Sequence, residues 1–294
     1  MGARRSVLVI AHARREPAVK AAKKLCKALT EAGVDVMVSS DTDPIDGLAA
    51  RVAQSRDDMI QAEVAIVLGG DGTILRAAEV VRGLGLPLLG VNLGHVGFLA
   101  EAEHDSLHEV ARRVAEGSWT VEERLALDVT VESNGDVVYK TWALNEITVE
   151  RAEPARMLDL VIAVDGRPVS QVGTDGVIVA TPTGSTAYAF SAGGPVIWPT
   201  VEAVLVVPVS AHALFARPLV VAPTSVVALE LLPASPAAVL VSDGRRTEPL
   251  PTCARIIVRR STEPVRIARL HNAPFTDRLV AKFRLPVEGW RGES

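Results

Sequence analysis

The length, composition and charge of the chain exclude several classes of protein. Its 294 residues are 48% hydrophobic and 22% charged, as is usual for a globular protein long enough for two domains. A net charge of -4 argues against nucleic-acid binding through a strongly basic surface. The apolar run Val7 to Ala11 is too short for a signal peptide or a membrane span, and Cys26 and Cys253 lack metal-ligand spacing. We therefore predict a cytoplasmic protein that binds neither nucleic acid nor membrane.

Strand and helix patterns alternate over residues 1–118. Apolar strand patterns are followed by helical ones, and Gly33 is placed to end the first helix. Such alternation predicts a parallel sheet wrapped by helices, with ligands bound beyond the carboxyl ends of the strands. The predicted strands are Ser6 to Ala11, Val34 to Val38, Ala65 to Leu68 and Leu86 to Val91, and the helices are Glu16 to Ala32 and the segment after Gly72; residues 41–58 give no clear pattern.

Residues 119–272 show short alternating strands separated by hairpin turns such as Asn134-Gly135 and Asp165-Gly166. This pattern predicts an antiparallel β domain, a sandwich or a related layered form. Its strands include Leu125 to Val131, Val137 to Trp142, Glu146 to Val149, Leu158 to Val164, Val177 to Ala180, Val204 to Val207, Val226 to Leu231, Val239 to Ser242, Arg255 to Val258 and Val265 to Leu270. Over residues 273–294, Phe275, Leu279 and Phe283 predict a short helix that packs back on the rest.

The glycine-rich turn Gly69-Gly70-Asp71-Gly72-Thr73 joins a buried strand to a helix. Glycines let the backbone approach a ligand closely, and a helix N-terminus attracts anions. Asp71 is unexpected there, unless it handles a proton, a hydroxyl group or a metal ion. The alternative is that Asp71 only caps the helix by accepting hydrogen bonds from first-turn amides.

Two polar stretches of the β domain are further candidates. Asn145-Glu146 offers donors and acceptors that suit hydroxyl-rich or adenine-like groups, although such a pair is more often ordinary surface. The stretch Asp175 to Pro195 runs from a β-branched strand into a loop rich in hydroxyl groups, and Tyr188 could stack on a base. Its alternative interpretation is a Ser/Thr turn followed by Gly-Gly-Pro. A large polar ligand would explain both stretches.

Several other site types are absent from the sequence. No glycine-rich loop ends in Lys-Ser or Lys-Thr, and there is neither an Asp-Phe-Gly kinase motif nor a Gly-x-Ser-x-Gly elbow. Gly90 to Phe98 lacks the dinucleotide glycine spacing and is more simply a tight turn. His104 and His108 lie four residues apart without the Glu of a zinc motif, so a solvated helix surface is expected there.

These motifs together resemble the signatures of the NAD kinase family. The similarity rests on Gly69 to Thr73, Asn145-Glu146, Thr181 to Tyr188 with Ser191 to Pro195, Gly90 to Gly94 with Gly97 to Leu99, and His212 to Pro218. It spans nearly the whole chain, and actinobacterial enzymes that accept ATP or inorganic polyphosphate are the most similar. The resemblance implies a Rossmann-like N-terminal domain, a β-sandwich C-terminal domain and a homodimer or homotetramer. It also implies Mg²⁺-dependent phosphorylation of the adenosine-ribose 2′-hydroxyl of NAD to NADP.

The resemblance assigns roles residue by residue. Asp71 matches the proton acceptor, Gly69, Gly70, Gly72 and Thr73 match the phosphate-donor loop, and Mg²⁺ would be bridged by donor phosphates. The positions that match NAD-binding residues are Asp71, Gly72, Arg76, Asn145, Glu146, Arg156, Asp175, Thr186, Ala187, Tyr188, Ala189, Phe190 and Ser191. Arg245 stands where many relatives carry Gln, so that contact is not carried over. The remaining alternatives are a catalytically idle NAD(P)-binding regulatory protein and a lipid kinase that shares the Gly-Gly-Asp-Gly turn.

Overall fold

The computed structural model describes residues 4–39, 45–93, 97–100, 107–154, 156–213, 216–271 and 274–287. The predicted turn residues 94–96, His104 and residues 214–215 therefore lie outside the described residues. The chain divides into two compact units, one formed by Met1–Glu123 with Val265–Ser294 and the other by Arg124–Pro264. No helix among the described residues is long and apolar enough to cross a membrane.

The first unit is an α/β layer structure built on one seven-stranded sheet. The strands are β1 Ser6–Ala11, β2 Asp35–Ser39, β3 Arg51–Ala53, β4 Val64–Leu68, β5 Leu88–Val91, β6 Thr120–Arg124 and β19 Val265–Arg269. Their order in the sheet is β3-β2-β1-β4-β5-β19-β6, and the pairings from β3 through β5 to β19 are all parallel. The helices are α1 Glu16–Glu31, α2 Arg56–Met59, α3 Asp71–Val81, α4 Leu107–Glu116 and α6 Phe275–Phe283.

The helices of this unit follow from local sequence. Pro17 lies in the first turn of α1, where its missing N–H costs nothing, and Gly33 takes the left-handed conformation just after the helix. The buried residues of α1, which include Leu25 and Leu29, recur every three or four positions and join the core that covers the sheet. β4 is buried along its whole length, as a central parallel strand must be.

The second unit is a β-sandwich of two six-stranded antiparallel sheets. The strands are β7 Leu127–Ser133, β8 Asp136–Ala143, β9 Glu146–Arg151, β10 Leu158–Val164, β11 Arg167–Thr174, β12 Gly176–Ala180, β13 Val204–Val209, β14 Leu219–Val221, β15 Val227–Leu231, β16 Ala238–Ser242, β17 Arg246–Leu250 and β18 Arg255–Arg260. The two strand orders are β11-β10-β15-β18-β7-β8 and β14-β13-β12-β9-β16-β17, and one apolar cluster takes residues from both sheets. A 3-10 turn, Gly184–Thr186, and the short helix α5 Tyr188–Ser191 follow β12.

The predicted fold class is confirmed, including the sandwich and the C-terminal helix. The rings of Phe275 and Phe283 on α6 lie 5.7 and 5.8 Å from the ring of Phe98, so this helix packs back on the first unit. Two strands differ from their expected place, because the pattern assigns residues 119–272 to the β domain whereas β6, Thr120–Arg124, and β19 both lie in the α/β sheet. The pattern groups Val265 to Leu270 with the β domain, whereas β19 pairs with β5 in the α/β sheet, because a strand's own sequence does not encode a partner far away in the chain.

Candidate active site

The glycine-rich turn connects the end of β4 to the start of α3. Gly69 donates its N–H to the carbonyl of Val91 on the neighbouring strand, at 3.0 Å. A Cβ atom at Gly69 would collide with the Thr73 hydroxyl, so this position requires glycine. Thr73 in turn donates its backbone N–H to the carbonyl of Gly70, at 2.9 Å. The turn therefore lies at the carboxyl end of a buried parallel strand, where ligands bind in α/β sheets.

Asp71 does not cap helix α3. The N-cap residue is Gly70, and no side chain accepts a capping hydrogen bond there. The two carboxylate oxygens of Asp71 instead accept the backbone N–H groups of Phe98, at 3.0 Å, and Leu99, at 3.1 Å. The capping interpretation is thus wrong, since these donors come from another loop. The carboxylate stays half-exposed, and each of its oxygens keeps acceptor capacity for a ligand.

The loop that holds Asp71 is itself fixed on its other side. The carbonyl of Phe98 accepts a hydrogen bond from Arg278 on α6, at 3.2 Å, and that of Leu99 accepts one from Arg269 on β19, at 3.1 Å. A Cβ atom at Gly97 would collide with Asp71 Oδ1. The segment Gly97 to Leu99 is one of the motifs found in the sequence. Its hydrogen bonds from the two arginines are not predictable from the sequence, because nothing near either arginine in the chain indicates these contacts.

Two other predicted site residues lie close to Asp71 in the sequence, on helix α3. Gly72 is exposed in the first turn of α3, and Arg76 is half-buried one turn further along the same helix. First-turn amides and an arginine on the same helix make this region suited to an anionic ligand.

In the second unit, Asn145 and Glu146 lie at the start of β9 and both are buried. The carbonyl of Asn145 accepts the N–H of Thr181, at 2.8 Å, so the two predicted polar stretches are hydrogen-bonded to each other. A Cβ atom at Gly184 would collide with that same carbonyl, and only glycine allows this approach. The ordinary-surface alternative for Asn145-Glu146 is therefore wrong.

Asp243 supports this pair and was not predicted as a site residue. Its carboxylate accepts the N–H groups of Leu144, at 3.0 Å, and Asn145, at 2.7 Å, while its own N–H donates to the carbonyl of Glu146. Arg246 donates to Asp243 Oδ2 at 2.8 Å and stacks on the ring of Trp142, 4.8 Å from its centroid. The Asp243-Gly244 turn was the one available signal, and it indicates only a hairpin.

Glu146 is held in an environment that disfavours its charge. Burial, followed by the nearby charge of Asp243, raises the pKa of Glu146 to about 8, although the N–H of Tyr188 opposes both effects. Its Oε2 atom is buried and has no hydrogen-bond partner among the described residues. Burial also raises the pKa of Asp243, against the hydrogen bonds from Asn145 and Leu144 and the charge of Arg246. A buried acceptor without a partner is unfavourable and indicates a place for a ligand group.

Some hydroxyl groups of the hydroxyl-rich loop form hydrogen bonds to backbone carbonyls of the protein itself. Thr181 and Ser185 are fully buried, and their hydroxyls donate to the carbonyls of Leu144, at 2.6 Å, and Pro182, at 2.7 Å. Thr186, one of the predicted NAD-binding residues, is half-buried and donates to the carbonyl of Thr183 at 3.2 Å. The expectation that the whole set faces a ligand is therefore wrong for Thr181 and Ser185, which fix the loop.

The residues after this turn alternate between core and surface. Ala189 is buried in a small apolar cluster. By contrast, Tyr188 and Phe190 are 40% and 41% exposed, and Ala187 and Ser191 are at least partly exposed. Burial, followed by the charges of Glu150, Asp175 and Glu146, raises the pKa of Tyr188. The structure thus brings the predicted residues Glu146, Asp175 and Tyr188 together.

Two arginines singled out from the sequence lie in exposed positions. Arg156 donates a hydrogen bond to the carbonyl of Ala234, at 3.4 Å. This bond does not connect Arg156 to the predicted NAD-binding residues Asn145, Glu146 and Tyr188. Arg245 follows the Asp243-Gly244 turn, which its backbone N–H closes by donating to the carbonyl of Ser242. Asp175 makes an ion pair with Arg151 at 3.2 Å.

Comparison with known proteins identifies the family. The ATP-NAD kinase N-terminal domain model matches residues 7–119, and the ATP-NAD kinase C-terminal domain model matches residues 144–270. NAD kinase 2 of Streptomyces coelicolor is 54% identical over 98% of this chain and 97% of its own length. NAD kinase of Leifsonia xyli subsp. xyli is 56% identical over 99% of this chain and 98% of its own length.

Solved structures agree with this assignment. A crystal structure of an NAD kinase from Archaeoglobus fulgidus in complex with ATP is 28% identical, with a TM-score of 0.71, and covers 96% of this chain and 98% of that chain. Yeast NADH kinase complexed with NADH shares the fold, with a TM-score of 0.85 at 23% identity over 99% of this chain and 90% of that chain. The matched domains and full-length relatives show that the chain belongs to the NAD kinase family of phosphotransferases.

Proposed function

We propose that this chain transfers a phosphoryl group to the adenosine-ribose 2′-hydroxyl of NAD, giving NADP, with Asp71 as the proton acceptor. ATP is the first donor, since the Archaeoglobus relative was crystallised with ATP, and inorganic polyphosphate is a second. The observation that carries the proposal is the placement of Asp71: its carboxylate is oriented by two backbone N–H groups and remains half-exposed at the end of β4.

The chemistry follows from that placement. As the 2′-oxygen bonds to phosphorus, the bond from phosphorus to the donor oxygen breaks, and the leaving phosphate keeps the electron pair. The hydroxyl proton passes to Asp71, and such general-base help accelerates reactions by roughly 10²–10⁴-fold. The first-turn amides after Gly70 and the positive side chain of Arg76 stabilise the donor phosphates.

Most of the predicted NAD-binding residues lie in the second unit. With a pKa of about 8, Glu146 is mainly protonated at neutral pH, so its carboxyl group can donate a hydrogen bond as well as accept one. The Oε2 atom of Glu146 lacks a partner among the described residues and is the position proposed for this bond. The exposed rings of Tyr188 and Phe190 offer stacking surfaces to a base.

The residues present fit a Mg²⁺ ion carried by the donor. No group of three acidic, histidine or cysteine side chains within the described ranges is placed to hold a metal. Mg²⁺ usually keeps several waters and binds through substrate phosphates with one or two carboxylates, so it needs few protein ligands. The Gly69 to Thr73 turn would hold the donor, and a Mg²⁺ ion bound to it would supply neutralisation of the charge on its phosphates. The homodimer or homotetramer and the cytoplasmic location stay predictions.

The test is NADP formation by the purified protein with NAD and Mg²⁺, in parallel with ATP, with polyphosphate and without a donor. We expect product with ATP, and at least about 100-fold slower turnover for Asp71→Asn with NAD binding retained. Unchanged turnover in that variant would remove Asp71 from the proton-acceptor role. NAD binding without product from either donor would instead favour the idle regulatory protein.

A further inference from the structure

Helix α6 contributes little to the core, although it contacts the loop that orients Asp71. None of its residues is fully buried, from Phe275 to Phe283. Its contacts include two with the ring of Phe98, made by Phe275 and Phe283, and a hydrogen bond from Arg278 to the Phe98 carbonyl. A helix with so little buried surface adds little hydrophobic stability, so these particular contacts need another explanation.

A continuous series of hydrogen bonds connects Arg278 to the carboxylate. The guanidinium of Arg278 donates to the Phe98 carbonyl, and this carbonyl belongs to the same peptide group as the Leu99 N–H, which Asp71 Oδ1 accepts. On either side of that peptide group, the Phe98 N–H donates to Asp71 Oδ2 and the Leu99 carbonyl accepts from Arg269. The two N–H groups that fix Asp71 thus belong to a segment whose carbonyls are tied down by arginines of the C-terminal part of the chain.

We infer that Arg278 is a positioning residue for Asp71, and that the C-terminal helix sets the geometry of the proton acceptor through the Phe98 and Leu99 backbone. The inference rests on the proposed role of Asp71. A charged donor strengthens a hydrogen bond, so the guanidinium, 3.2 Å from the Phe98 carbonyl, restrains the orientation of the peptide group between Phe98 and Leu99. Loss of that restraint lets the two N–H donors, and with them the carboxylate, depart from the reactive geometry. Arg278 itself touches neither substrate nor the reacting atoms in this scheme.

The distinguishing experiment combines Arg278→Met with hydrogen exchange at the Phe98 and Leu99 amides. Misplacement of a catalytic group by about 1 Å can cost about 100-fold, so we expect kcat to fall by about 10- to 100-fold. KM for NAD and for ATP should stay within about twofold, because substrate contacts are retained. Both amides should exchange faster than in the parent protein. Arg278→Lys, which keeps a positive donor, should recover part of kcat and of the protection.

Two comparisons separate positioning from general destabilisation. Arg284→Met removes an exposed positive charge from the C-terminal end of the same helix and should change neither kcat nor amide exchange. In an Asp71→Asn background, Arg278→Met should lower the residual kcat by less than about twofold, since residues that act through one group are not additive. Fully additive losses, or unchanged exchange at both amides, would overturn the inference.

A failure of this inference can be distinguished from a failure of the proposed function. If Asp71→Asn keeps full turnover, the proton-acceptor role is lost, but faster amide exchange in Arg278→Met would still establish the restraint on the loop. If Arg278→Met unfolds the protein, Arg278→Gln, which removes the positive charge, carries the test, and unchanged exchange and kcat in that folded variant contradict the inference.

Discussion

The two units use the same device around an aspartate, with different consequences. Asp71 accepts the N–H groups of Phe98 and Leu99, and Asp243 accepts those of Leu144 and Asn145. Asp243 is also paired with Arg246, and its side chain is only 1% exposed, whereas the Asp71 carboxylate is half-exposed. In both cases, two backbone N–H donors orient the carboxylate. Exposure then decides whether the group supports a neighbouring segment or can meet a substrate.

The largest expected effect is on stability, and it tests the difference between Asp243 and Asp71. Asp243→Asn removes the ion pair with Arg246 and turns an amide NH2 toward its guanidinium, so we expect a loss of about 3 kcal/mol in the free energy of unfolding, although Oδ1 can still accept both backbone N–H groups. Asp71→Asn should cost only about 1 kcal/mol, since it removes one of two backbone hydrogen bonds at a partly exposed group. Urea unfolding of both variants measures the two losses. Equal losses would show that Asp71 is as structural as Asp243.

The second prediction concerns the contact that joins the two polar stretches of the β unit. Gly184→Ala places a methyl group against the Asn145 carbonyl, and overpacking of this kind costs about 1–3 kcal/mol. We expect this loss in thermal or urea unfolding, with a raised KM for NAD. Gly173→Ala is the matched control, because its Cβ would meet only Met157 at an ordinary 3.9 Å. If the two alanine variants behave alike, the close approach at Gly184 is unimportant.

A third prediction uses the raised pKa of Glu146. The folded protein has a pKa of about 8 at this group, above the ordinary 4.5, so it holds the proton more tightly than the unfolded chain. The group therefore lowers stability progressively as the pH rises from about 4.5 to about 8. Glu146→Gln cannot ionise, and we expect it to gain on the order of 2 kcal/mol relative to the parent protein between about pH 4.5 and about pH 6. A pH-independent difference in unfolding free energy between the two proteins would refute the burial of this charge.

The smallest expected effect returns to Asp71. Gly97→Ala should displace the Asp71 carboxylate without removing it, because the methyl group would collide with Oδ1. We expect kcat to fall about tenfold, which corresponds to about 1.4 kcal/mol, with little change in unfolding free energy. Steady-state kinetics and urea unfolding of the same preparation measure both quantities. A parent-like kcat would mean that the carboxylate does not need its observed orientation.

The local sequence determined much of the fold and the position of the candidate residues. Strand β1 has the predicted bounds, α3 begins within the Gly69 to Thr73 motif, and Asn134-Gly135 and Asp165-Gly166 form hairpin turns with positive φ at every residue. These features depend on side-chain periodicity and on backbone torsion preferences, which neighbouring residues settle among themselves.

Only the tertiary structure decided what the two aspartates do. The donors to Asp71 lie 27 and 28 residues away, and those to Asp243 lie 98 and 99 residues away. The pairing of β19 with β5, and hence the return of Arg269 and Arg278 to the Phe98 loop, is more distant still, since these arginines lie 170 and 180 residues from their carbonyl acceptors. A local pattern specifies torsion angles and the face of an element, but partners brought together by chain folding leave no periodic signal in either segment.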